Sequence, residues 1–380
     1  MKLMHLADLH LGKRVNGFSM LEDQKYILNE ILNIMDEEKP DGILIAGDVY
    51  DKSVPPAEAV RLMDEFLTAI AARSISVYMI SGNHDSADRV AFGHQLMEES
   101  GIHIAPPYDG EVTSYVLENG DVVIHLLPFI RPSQVQSSYP EEEIGNYNDA
   151  MEVVVRHMDL KEGAKHVLIA HQFVVNGEKL PDTCDSEQLS VGGLDQVDRE
   201  VFAPFDYVAL GHLHGPQKVG RETVRYAGSP LKYSFSELNQ KKSVTMISWE
   251  GSGEMQVNQI SLQPLREMIE LRGTFQEILQ AGMESEETKQ DYYHMILTDE
   301  NDVVEALPRL REYYPNIMLL DYDNTRTRSE RQVEKLEAQE EKSPVEIFET
   351  LYEQQNGQPM NEDQEEILNR LIREIWEEEV

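Results

Sequence analysis

The chain has 380 residues, 41% of them hydrophobic, with one cysteine and a formal net charge of -37. The lone Cys184 excludes an internal disulfide and suits a reducing, cytoplasmic setting; no apolar run approaches the roughly 18–20 residues of a membrane span, and the N-terminal "MKLMHLADLH" lacks a signal-peptide pattern. Such acidity argues against gripping nucleic acid through a bulk basic field, unless bound cations invert the field locally or the acidic residues are segregated from the site.

In chain order, "KLMHLA", "GILIAG", "SVYMIS", "VVIHLLPF", "HVLIAH" and "YVALGH" read as short buried strands bounded by turn residues. Between the first three lie "SMLEDQKYILNEILNIMDEEK" and "PPAEAVRLMDEFLTAIAAR", both with apolar residues at helical spacing. The second opens on prolines, which suit a helix start. Strands alternating with helices imply an α/β layered domain, assigned to residues 1–264. "ETVRYAGSPLKYSFSE" and "KSVTMISW" add later strands, expected to be antiparallel. Residues 265–326 then read as a small α+β unit of helices and short strands.

The charged stretch 327–342 reads as a linker, and 343–380 as a helical tail. Ser343-Pro344-Val345-Glu346 has capping-box spacing with proline at the first helical position. Phe348, Leu351 and Tyr352 share one face of the helix that follows. Ile367, Leu368, Leu371, Ile372, Ile375 and Trp376 then form an apolar stripe on an otherwise acidic helix. The stripe could dock on its own core or on a partner, and the charged linker before it favours the partner.

Chemistry gathers where the strands end. Asp8-Leu9-His10 follows the first strand, Gly47-Asp48 the second and Gly82-Asn83-His84-Asp85 the third; His171 and Gly211-His212-Leu213-His214 close two later ones. Open α/β sheets place ligand sites at the carboxyl ends of strands. On a strand, side chains two apart share a face, so His212 and His214 could address one cavity. Imidazole with carboxylate donors suits Mn²⁺, Fe²⁺ or Zn²⁺. Two such ions about 3.5–4 Å apart would clamp an in-line phosphoryl displacement. Asp48 is the candidate bridging carboxylate, and Asn83 a neutral oxygen donor.

The pattern D-x-H, G-D, G-N-H-D, H and G-H-x-H is similar to that of the calcineurin-like metallophosphoesterase superfamily. "HLADLHLGK", "GDVYD", "SGNHDS", "GHLHGPQ" and "AGSPLKYSFSE" resemble its bacterial DNA-repair nuclease branch. The resemblance covers the α/β domain specifically and the rest more loosely. It implies two packed β-sheets flanked by helices, a small α+β cap domain and a helical C-terminal tail. One manganese would be held by Asp8, His10, Asp48 and His214, the other by Asp48, Asn83, His171 and His212. His84 would be the non-ligand histidine at the scissile phosphate. Asp85 would orient His84 or its loop, and Asp51 stands where archaeal relatives carry a second histidine.

The activity implied is exonuclease and endonuclease cleavage of DNA ends and hairpins, by a two-metal, metal-bound-water mechanism, in repair and recombination. The family acts as a homodimer through helices near the active face, here "PPAEAVRLMDEFLTAI" and "DRVAFGHQLMEES", with a coiled-coil ATPase that binds the tail. Phe348, Leu351, Leu368, Leu371, Ile375 and Trp376 would be the tail's anchors. ATP would belong to that partner, since this chain has no G-x-x-x-x-G-K-[ST]. Lys13, Arg14, Arg89 and Lys232 are the foremost candidates for DNA contact, followed by Arg131, Lys241 and Lys242. Two other functions compete. A small-molecule phosphodiesterase or phosphatase would keep the site but have no use for "GSPLKYSFSE", the cap or the tail. A metal-free scaffold would have no use for His84.

Overall fold

The computed structural model describes residues 1–117, 121–187, 195–251, 253–284 and 290–325, together with 327, 360, 364, 367, 368 and 370. Chain contacts divide it into two compact units, the first running to Ile269 and the second from Glu270.

The first unit is built on two six-stranded sheets. In one, the strands lie in the order Gln256–Ser261, Ser243–Ser248, Lys2–Leu6, Gly42–Ala46, Ser76–Ile80 and Ile102–Ile104. In the other the order is Gln217–Val219, Arg221–Tyr226, Tyr207–Gly211, Lys165–His171, Val122–Leu126 and Thr113–Leu117. The central strands of both run parallel. Both faces of these strands are covered, which is why they read as unbroken apolar runs rather than alternating ones.

Leu3, Leu44 and Ile80 of the first sheet share a core with Ile124, Ile169 and Ala209 of the second. Each of these leucine and isoleucine side chains contributes about 1.5–3 kcal/mol on full burial. The outer face of the second sheet packs Leu168, Val208 and Leu210 against Met151 and Val154 of helix Tyr147–His157. Helices Leu21–Glu38 and Ala57–Ala71 pack together, and the latter also meets strand Ser76–Ile80.

Three expectations need correction. Strand Arg221–Tyr226 pairs parallel with Tyr207–Gly211, so only Ser243–Ser248 of the two later strands joins its sheet antiparallel throughout. Its segment also leaves the strand at Tyr226, where Gly228 turns the chain with φ +76°. "DRVAFGHQLMEES" is not one helix but the short turns Ala87–Val90, His94–Met97 and Glu98–Ser100, interrupted at Gly93 with φ +73°.

The second unit is built on a three-stranded sheet of Met268–Gly273, whose first two residues still count with the first unit, Tyr292–Leu297 and Ile317–Tyr322, with helices Phe275–Glu284 and Ala306–Arg311. Most of the expected linker and tail, including Phe348, Leu351, Leu371, Ile375 and Trp376, lies outside the described residues. Of the stripe, Leu368 is buried and Ile367 exposed.

Candidate metal centre

The carboxyl ends of both sheets meet at one point. The Ala46 carbonyl, on the first sheet, accepts a 2.8 Å hydrogen bond from His171 Nδ1 on the second. The His212 amide donates to Asp8 Oδ1 at 2.9 Å in the opposite sense. So close an approach needs missing side chains. A Cβ on Gly211 would overlap the Ala46 carbonyl oxygen, and one on Gly82 would overlap the Asp48 carboxylate.

The loops that leave these strands turn sharply. Asp8, His10, Asp48 and His212 all sit at positive φ, at 53°, 43°, 48° and 106°. Non-glycine residues there cost of order 1–3 kcal/mol each and cluster at functional sites. Backbone bonds from Asp8 and His10 to Gly47 and Asp48 hold the first two loops together. His212 and His214 therefore do not alternate along a strand, which ends at Gly211. They point to different neighbours, with the fully buried Leu213 between them.

His214 Nε2 lies 3.1 Å from His10 Nε2, and Asp8 completes that group, with donor atoms all within 4.8 Å of one another. Asn83 Oδ1 lies 3.0 Å from both His171 Nε2 and His212 Nδ1. Asp48 sits between the two sets: its Oδ2 is 3.5 Å from His10 Nε2 and 3.4 Å from His171 Nε2.

The electrostatics call for a cation. Asp8 Oδ2 is buried without a hydrogen-bond partner, and burial drives that carboxyl well above its ordinary pKa. Burial also opposes the Asp48 charge, but His171 and His10 outweigh it and hold Asp48 well below the carboxylate range. His171 would be lowered by burial, yet the Asp48 carboxylate pushes it up to about 9. A divalent ion can take over the role of that buried proton, so the donor set fits metal.

His84 stands at the edge of this centre. Its Nδ1 donates to the Asp51 carbonyl at 3.1 Å, its amide donates to Asp48 Oδ1 at 2.9 Å, and its Nε2 is 4.0 Å from Asp48 Oδ2. Asp85 accepts three amides, from Val49, Tyr50 and Gly82, at 3.0, 2.9 and 3.0 Å. It thus ties the loop before His84 to the one after Asp48. The Asp51 carboxylate pairs with Lys13 at 2.8 Å.

The basic residues divide. Arg14 and Arg89 are exposed, and Arg89 also donates to the Ser53 carbonyl. Lys13 is turned toward Asp51 and the Tyr233 ring, and Lys232 pairs with Glu267 at 2.7 Å. Lys242 cannot meet DNA: it is buried, with its ammonium among four oxygen acceptors.

Several residues at the centre carried no assignment from sequence. Gln24, buried on helix Leu21–Glu38, donates to the Leu9 and His10 carbonyls and accepts from the Gly12 amide. Its only signal was a polar residue on the apolar face of that helix. Tyr233 donates to the Leu9 carbonyl at 2.6 Å and lies edge-on to both His10 and His214. Glu237 lies behind His214, with Ser186 and Glu187 beside it. Tyr233 and Glu237 fall within "GSPLKYSFSE", while Ser186 and Glu187 had no signal at all. Of the histidines outside the motifs, His5 pairs with the Tyr207 hydroxyl and His125 with His166.

A family model described as calcineurin-like phosphoesterase matches residues 1–216, and one described as Type 5 capsule protein repressor C-terminal domain matches 264–356. The D component of nuclease SbcCD from Staphylococcus epidermidis is 33% identical over the full length of both chains. The protein of the same name from Staphylococcus saprophyticus subsp. saprophyticus is 30% identical, covering 100% of this chain and 99% of its own. A dimetal phosphatase structure from Danio rerio aligns with 70% of this chain and 98% of its own, at 10% identity and a TM-score of 0.39. Strand-end loops converging on buried carboxylates and imidazoles, joined to full-length similarity, lead to one assignment. The chain belongs to the calcineurin-like phosphoesterases, in the branch of the SbcD nucleases.

Proposed function

We propose that this protein is a Mn²⁺-dependent DNA exonuclease and endonuclease that hydrolyses phosphodiester bonds at DNA ends and hairpins, working with an SbcC-type ATPase. The observation that carries this reading is the position of Asp48, whose buried Oδ2 lies within 3.5 Å of an imidazole nitrogen of each donor group. A pair of ions a few ångströms apart needs such a shared carboxylate to offset cation repulsion. Asp8, His10, Asp48 and His214 would hold one ion, and Asp48, Asn83, His171 and His212 the other. Mixed imidazole and oxygen donors suit Mn²⁺ better than Mg²⁺ or Ca²⁺. Ions bound there would supply Lewis-acid polarisation of the phosphate and an acidified hydrolytic water.

The protein's own groups do the rest. The Asp51 carbonyl only accepts, so His84 Nδ1 must carry hydrogen, and Nε2, turned toward the centre, delivers a proton to the leaving oxygen when the ring is in its doubly protonated form. Asp85 keeps the His84 loop in register through its three amide bonds. The exposed Arg14 and Arg89 can meet phosphates directly, whereas Lys13 and Lys232 would first have to exchange a carboxylate for phosphate. With a net charge of -37, much of the DNA affinity would come from the partner. The relatives' name designates one component of a complex, and the acidic, striped tail suits helix-in-groove docking. A cytoplasmic location fits the lone Cys184, and among the described residues no helix is long and apolar enough to cross a membrane.

A homodimer is supported by apolar side chains left bare in or next to the two expected segments: Val54, Val60, Phe92 and Leu96 are 66%, 44%, 81% and 83% exposed. Phe92→Glu should convert the dimer to a monomer at unchanged metal content, measured by analytical ultracentrifugation. A surviving dimer would place the contact elsewhere.

The activity is tested by cleavage of a DNA hairpin with Mn²⁺, with and without the ATPase, beside a cyclic-nucleotide control. Cleavage of the hairpin, abolished by a chelator, is expected. Turnover of the cyclic nucleotide alone would favour the small-molecule reading, and a protein that binds no metal would be the scaffold.

A further inference from the structure

We infer that Ser186, Glu237 and Lys242 are positioning residues that fix the tautomer of His214, so that its Nε2 presents a lone pair to the metal centre. The inference rests on the two-ion reading above and adds the device that prepares one of its ligands.

The hydrogens can be followed from the buried end of the chain of contacts. Lys242 Nζ lies within 2.9 Å of the His214 carbonyl, 2.9 Å of Ser229 Oγ, 2.6 Å of Glu237 Oε2 and 2.7 Å of Gln240 Oε1. An ammonium is donor only, so Glu237 Oε2 is an acceptor in this pair. Glu237, with no exposed surface, turns its other oxygen to Ser186 Oγ at 2.6 Å. The same oxygen also receives the Tyr233 amide at 3.1 Å and Ser234 Oγ at 3.2 Å. A carboxylate accepts and does not donate, so the single hydroxyl hydrogen of Ser186 is committed to Glu237.

Ser186 Oγ is then left with lone pairs alone toward His214 Nδ1, 2.7 Å away. Cys184 Sγ, 3.2 Å from the same oxygen, can only add a second donor. His214 Nδ1 must therefore carry the ring hydrogen, and Nε2 is bare. That bare nitrogen faces His10 Nε2 at 3.1 Å. In the other tautomer Nε2–H would donate to His10 and close the centre with a hydrogen bond between two ligands. The backbone is gripped as well, since the His214 amide donates to Glu187 Oε1 at 2.6 Å while its carbonyl receives Lys242. Metal-bound histidines commonly have their second nitrogen held in this way, and loss of the holder costs about 10–100-fold in metal affinity.

Ser186→Ala tests the device with little risk to the fold, because it removes one hydroxyl and leaves the buried Glu237–Lys242 pair whole. Two measurements are made on the full chain. Long-range proton–nitrogen spectra of the metal-free protein read the His214 tautomer, and Mn²⁺ calorimetry reads each binding step. The wild type is expected to show the Nδ1–H form and two binding steps. Ser186→Ala should mix the tautomers and weaken one step by about 10–100-fold while sparing the other. Ser186→Thr, which restores a hydroxyl, should recover both readings. Glu237→Gln should go further than the alanine change, because an amide can donate to Ser186 and reverse the chain of hydrogens. An unmixed Nδ1–H tautomer and two unchanged binding steps in Ser186→Ala would overturn the inference. A wild type that binds fewer than two ions would instead overturn the two-ion reading, and the spectra of the metal-free protein would still decide the tautomer.

Discussion

Replacing His84 with Gln should cut DNA cleavage by about 100- to 10,000-fold, the usual contribution of a positioned acid, without changing the number of metal ions bound. The ring is held by one nitrogen to the Asp51 carbonyl, and its other nitrogen stands 4.0 Å from Asp48 Oδ2. Glutamine keeps a donor and similar bulk, but its amide cannot deliver and regain a proton near neutral pH. The amide of residue 84, which supports Asp48 at 2.9 Å, belongs to the backbone and survives the change. The measurement is single-turnover cleavage of a hairpin beside calorimetric Mn²⁺ binding. Undiminished cleavage would remove His84 from the chemistry, and loss of both metal steps would make it a ligand.

Asp48→Asn should do more damage by a different route. Asp48 is the negative charge that both donor groups share, and despite complete burial it is held ionised by His171 and His10. Asparagine can still accept the His84 amide, so the loop has no new orphan donor. It cannot, however, offset the repulsion of two cations. Metal content is expected to fall from two ions to at most one, and cleavage by about 1,000-fold or more, as the loss of several kcal/mol of metal-ion stabilisation implies. Metal analysis after gel filtration, with circular dichroism to confirm the fold, checks the outcome. Two tightly held ions in Asp48→Asn would mean that the bridge lies elsewhere.

The α/β layering was legible because the central strands are buried on both faces and so stand out as apolar runs. The chemistry was legible because five of those runs end in Asp, Asn or His. Less visible was how the loops turn. Nothing in "GDVYD" or "GHLHGP" announces that Asp48 and His212 adopt positive φ, or that Gly211 is required by an oxygen on the other sheet. Strand alternation suggested that His212 and His214 face together; the backbone at His212 sends them to different partners. Lys242 looked like a surface cation, since its buried acceptors come from His214, Ser229, Glu237 and Gln240, a grouping only the fold creates. Gln24 likewise gains its purpose from meeting the loop at Leu9 and His10. Polar residues that serve a site from behind leave little periodic trace, because their partners lie far off in sequence.

The central claim is that the strand-end loops hold two ions across Asp48. Crystals of the protein grown with Mn²⁺ and measured near the manganese absorption edge test it most directly. Two anomalous peaks about 3.5–4 Å apart are expected, with Asp48 between them, His10 and His214 on one peak and Asn83, His171 and His212 on the other. A single peak, or two peaks with Asp48 bound to neither, would contradict it.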